Sequence, residues 1–82
     1  MMGRRLPDGQ HPVSPGDYSL VGGVWWAKVP AGGSAGSLEN HTVTEHADRT
    51  ITVSPSILRE AEAWRNVPQW HGYLERGVWR EG

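Results

Sequence analysis

The chain contains no cysteine and no phenylalanine, and its acidic and basic side chains nearly cancel. Without cysteine there are no disulfides and no thiolate zinc ligands, the usual supports of small domains. A formal charge of −1, eight Lys and Arg against nine Asp and Glu, offers no basic footprint for nucleic acid and no polybasic membrane anchor. Long apolar runs are missing too. The longest, Val24 to Ala27, is far short of a bilayer span. Arg4 and Arg5 are followed by no apolar stretch, so no signal peptide is expected and the cytoplasm is the default compartment.

What the chain has instead is tryptophan. Five Trp and two Tyr stand in 82 residues, enough for one domain. A domain this small hides only about 60–65% of its unfolded surface, so each large ring counts. Tyr73 and Trp79 are expected in the core, and Trp70 with one of Trp25 or Trp26 at the surface.

Residues 1–17 carry Pro7, Pro12 and Pro15 with little apolar periodicity, which predicts a flexible N-terminal arm. Residues 18–82 then form a single β-rich domain. Tyr18–Val21 and Val24–Val29 read as strands joined at Gly22-Gly23, the alternative being one strand with a glycine bulge. Adjacent Trp25 and Trp26 must point to opposite faces, so one of them needs a second cover or stays exposed. Pro30 to Ser37 is a glycine-rich loop without the ending of a phosphate-binding loop, and reads as a linker.

His41 to Ser54 is a hairpin whose register follows from burial. A three-residue loop, Ala47-Asp48-Arg49, pairs Val43 with Val53 and Glu45 with Ile51, placing the apolar residues on one face. That loop needs a left-handed residue third, where Arg49 stands instead of Gly. Ser54-Pro55 looks like an N-cap and first helical residue, and Ile57, Leu58, Ala61 and Trp64 recur at helical spacing, predicting a short helix near 55–65. Trp70 to Glu81 is a further hairpin. Taking Glu75-Arg76-Gly77 as its loop pairs Leu74 with Val78, Tyr73 with Trp79 and Gly72 with Arg80. The fold class is therefore α+β and β-rich: a small antiparallel sheet or partly open barrel of two or three hairpins, with one short helix.

No catalytic constellation emerges. His11, His41, His46 and His71 show no i, i+4 spacing, so neither a metal site nor a cofactor is expected. Ser54 and Ser56 lack a nucleophile-elbow motif, and Glu60 and Glu62 lie on different sides of the expected helix. The reading is that the protein is not an enzyme. Trp, Tyr, His and Arg do concentrate as they do in interface hot spots. The candidate partner-binding residues are Trp70, His71, Tyr73, His41, Trp25 and Trp26.

Ile51-Thr52-Val53-Ser54-Pro55-Ser56-Ile57 and Trp70-His71-Gly72-Tyr73-Leu74-Glu75-Arg76-Gly77-Val78-Trp79, with the strand Ser37 to His46, resemble a set of small proteins encoded by bacteriophages of actinobacteria. The resemblance spans about residues 37–81. It implies a phage owner but lends no activity, since none is established for the family. Those proteins usually carry Asp-Gly where this chain has Asp48-Arg49, and larger relatives hold cysteines suggesting a metal, which are absent here. The expectation is a small phage accessory protein that binds a host or phage protein in the host cytoplasm. The alternatives are a homo-oligomeric virion or assembly component and a nucleic-acid-binding protein.

Arg49 generates a test. A non-glycine residue in the left-handed region costs about 1 kcal/mol. Arg49→Gly is therefore expected to raise the melting temperature by roughly 4–8 °C. An unchanged or lower value in thermal melts would contradict the three-residue loop.

Overall fold

A computed structural model describes residues 1–82. Two four-stranded sheets pack against each other with the core between them. The first contains β1 (Arg4–Arg5), β2 (Asp17–Val21), β3 (Val24–Ala27) and β4 (Gly36–Ser37), in that order across the sheet. The second contains β5 (Thr42–Glu45), β6 (Ile51–Arg59), β7 (Trp70–Glu75) and β8 (Val78–Glu81), again in chain order. Neither sheet closes into a barrel. All neighbouring strands are antiparallel except β1, which runs parallel to β2.

The first hairpin forms as its glycines dictate. Val21 pairs with Val24 around Gly22 and Gly23, both at positive φ. Tyr18 and Ala27 form one pair facing the core, while Ser19 and Trp26 form the next and face the other side. Residues 10–12 cover that second side. Ser19 Oγ donates to the Gln10 carbonyl at 2.5 Å, and the His11 ring meets Trp26 edge-on at 5.2 Å. The N-terminal segment, expected as a flexible arm, is instead laid along the domain. It supplies β1 and buries Leu6 and Pro12. Proline limits regular pairing but does not prevent packing, and a small chain gains from every apolar residue it can bury.

In the β5–β6 hairpin Glu45 faces Ile51, Thr44 faces Thr52 and Val43 faces Val53, the register derived from burial above. His46 N–H closes on the Thr50 carbonyl at 2.8 Å, and Arg49 takes φ 74°. Asp48 accepts from both the N–H and the hydroxyl of Thr50, bracing the turn.

The expected helix near 55–65 does not form. β6 continues through Pro55 to Arg59, and only a 3₁₀ turn, Ala63–Arg65, follows. Ser54 therefore caps nothing. The helical spacing of Ile57, Leu58, Ala61 and Trp64 was not a buried face: Ile57 enters the core, while Leu58 and Trp64 are exposed. Ladder bonds to β7 and burial of Ile51, Val53 and Ile57 outweigh a helix with no apolar surface to cover it. Proline is accommodated at a bulge. Val53 lies opposite Leu74 and Ile57 opposite Gly72, so Ser54, Pro55 and Ser56 all stand against Tyr73.

The C-terminal hairpin also departs from expectation. Its loop is two residues, Arg76-Gly77, both at positive φ, as in a type I′ turn. Leu74 therefore pairs with Trp79, Tyr73 with Arg80 and Gly72 with Glu81. The three-residue loop would have put Trp79 on the face of Tyr73, opposite to Leu74 and Trp70. The observed one buries Leu74 and Trp79 together and leaves Tyr73 outside. Gly72 is needed because Trp70 lies over it: a Cβ there would stand 2.4 Å from the indole and 2.2 Å from the Arg80 carbonyl.

One buried charge ties the N-terminal segment down. The Asp17 carboxylate accepts from Arg4 twice, at 3.1 Å each, and from the Val13 and Ser14 N–H groups. Burial pushes this carboxyl up, but the Arg4 guanidinium and the two N–H groups outweigh it and hold it below the usual range. Its stability contribution is therefore present above the ordinary carboxyl pKa of about 3.9 and is lost as pH falls through the depressed folded value. Denaturant melts from about pH 6 to pH 2 should show an acid-side loss of stability that Asp17→Asn flattens. An acid limb unchanged by Asp17→Asn would separate this carboxylate from folding.

Candidate functional site

The six candidate residues do not converge. Trp70, expected at the surface, is buried in the core with its ring edge-on to Trp79 at 5.6 Å. Tyr73, expected in the core, lies on the outward face of the second sheet beneath the Arg80 guanidinium, 5.3 Å from its ring. Both corrections follow from the two-residue turn, which sets the parity of the whole strand. His71 shares the outward face, its ring 6.0 Å from Tyr73. Trp26 is half-buried under His11. Trp25 and His41 lie elsewhere, at the open end of β5.

His41 and His71 meet at the bulge. His41 Nε2 donates to the Ser56 carbonyl at 3.1 Å, and His71 Nε2 bonds the Ser56 hydroxyl at 2.8 Å. The two rings clamp the irregular segment that proline imposes. A serine within reach of a histidine raises the question of a nucleophile. The other nitrogen of His71 is 3.4 Å from the Gly82 carbonyl, too long to hold the ring as a third group does in a Ser-His-Asp arrangement. The bonds account for the bulge, and nothing further is assigned to them.

Three arginines surround a groove of about 550 Å³ between the N-terminal segment and the 47–50 turn: Arg4, Arg5 and Arg49. Most of that charge is answered internally. Arg4 pairs with Asp17, and Arg5 with Asp8 and Glu45.

The edges of the second sheet differ from each other. Residues 1–3 lie along β8: Trp79 N–H donates to the Met1 carbonyl at 2.8 Å, Met2 bridges Val78, and Gly3 N–H donates to the Gly77 carbonyl at 2.7 Å. β5 carries no such cover. Because His46 bonds Thr50, the antiparallel alternation turns Thr44 and Thr42 toward β6, and the N–H and C=O groups of Val43 and Glu45 away from it. Beside this edge is an open hollow of about 350 Å³ lined by Val24, Trp25, Leu38, Glu39, His41 and Val43. Trp25 is half-buried there, its ring 4.9 Å from the Arg5 guanidinium, and it packs with Val43 against the core. Of the lining residues, sequence reasoning had marked only Trp25 and His41. The missed signal was Thr42-Val43-Thr44-Glu45 itself: a short strand with one apolar residue is the pattern of an edge.

The chain matches no protein-family model, no curated protein and no solved structure. No helix is long and apolar enough to cross a membrane.

Proposed function

We infer that this chain is a protein-binding module that receives an extended segment of a partner along β5. One observation carries the reading: backbone groups of Val43 and Glu45 face outward beside an apolar hollow. Strand addition draws affinity from main-chain hydrogen bonds and specificity from pockets that accept alternate side chains, and this edge offers both. The resemblance to actinobacteriophage proteins supports a setting in which the partner is a host or phage protein in the infected cell. The internal pairing of Arg4 and Arg5 argues against nucleic acid as the ligand.

Affinity capture from infected host cells tests the assignment. A partner retained by the wild-type chain should be lost with Val24→Asp, which places a charge in the hollow, and kept with Tyr73→Ala. The opposite pattern would move the site to the outward face of the second sheet. Melting curves of both variants establish that the fold is intact.

A further inference from the structure

Resting on the strand-addition reading, we propose a specific chemistry for the occupant of the β5 edge. It is an antiparallel strand with an aliphatic or aromatic residue opposite Val43 and a lysine or arginine two residues later, opposite His41. Side chains alternate across a strand, so residues of the added segment opposite Val43 and Glu45 point to the side of the hollow. The next residue of that parity comes level with His41, which stands at the bend just before β5 with its N–H bonded to the Leu38 carbonyl. The three positions make different demands.

Opposite Val43 the surroundings are apolar. Val24, Trp25, Leu38 and Val43 line the hollow, and Val43 and Trp25 are both partly exposed through it. An apolar side chain from the added strand would complete the packing that the core begins there. Opposite Glu45 the charge is already answered, because Arg5 Nη1 donates to its carboxylate at 2.7 Å. Glu39 is different. It lines the His41 end of the hollow, is exposed, and its carboxylate accepts only from Ser37 Oγ at 3.0 Å, with no cation in the chain paired to it. It is the one uncompensated charge of the lining, and a basic side chain opposite His41 is the group that reaches it.

Direction follows from how few bonds the edge offers. β5 is four residues long, and an antiparallel partner lets Val43 exchange both of its outward bonds with a single residue. In that direction the basic residue follows the apolar one in the partner's sequence; in a parallel strand it would precede it.

The test uses the full chain, isotope-labelled, and blocked peptides. The first is Thr-Val-Thr-Leu-Thr-Lys-Thr, the second has Glu for Lys, and the third is the reversed sequence. The Lys peptide is expected to shift the Val43 and Glu45 amide resonances and to bind roughly fivefold tighter than the Glu peptide, since the exchange replaces repulsion by attraction at one exposed pair. Glu39→Lys should invert that preference. Equal affinities with shifts at Val43 and Glu45 would overturn the charge assignment and leave the edge reading standing. Tighter binding of the reversed peptide would overturn the antiparallel direction. No shift at these amides with any peptide would overturn the edge reading together with the proposal. Sedimentation of the free chain as a dimer with both amides protected would make a second copy the occupant, which also contradicts it.

Discussion

The indole of Trp79 holds the two sheets and the N-terminal segment in one arrangement. Its ring is buried beside Leu74 and edge-on to Trp70, and its Nε1–H donates to the Gly16 carbonyl at 2.9 Å. Its backbone bonds Met1 in both directions. A core without phenylalanine or disulfides has few large side chains to spend, and fully burying one such ring removes on the order of 200 Å² from water. Turning Trp79 inward on the same face as Leu74 and Trp70 requires the two-residue turn at Arg76-Gly77, with a positive φ at Arg76. The burial gain exceeds the cost of that left-handed arginine, which is about 1 kcal/mol.

The same comparison explains what was legible in the sequence. Where turn glycines or burial set the register, the reading held: Gly22-Gly23 closed the first hairpin, and burial of Val43, Ile51 and Val53 set the second despite Arg49 in its turn. Where one local signal was ranked above burial, it failed. Gly77 was assigned to the third position of a loop, which paired Trp79 with Tyr73 and so put Tyr73 in the core in place of Leu74 and Trp70. Ser54-Pro55 was taken as a helix start although Leu58 and Trp64 had nothing to pack against. Pro55 sits instead in a bulge, a position visible only once β6 and β7 are paired. The packing of residues 1–17 was equally hidden. It depends on Arg4 reaching Asp17, Ser19 reaching Gln10 and Trp79 reaching Gly16 from the far end of the chain, and no local pattern announces such contacts.

The candidate site was half legible for a related reason. Trp25 and His41 were recognisable as aromatic and imidazole groups in search of a role, but the site they belong to is an edge. Edges are a property of topology. The second sheet has two of them, and the chain treats them differently: residues 1–3 cover β8, while the outward groups of Val43 and Glu45 on β5 stand beside the hollow. An uncovered edge next to apolar surface is a liability that proteins commonly blunt with charge or bulges. β5 carries only Glu45, and Arg5 neutralises it.

Amide hydrogen exchange of the free chain addresses this openness directly. Val43 and Glu45 amides are expected to exchange as readily as those of exposed loops, while Thr44, bonded to β6, is protected. Protection of Val43 and Glu45 comparable to that of Thr44 in the monomer would mean that the edge is already closed, and would contradict the account.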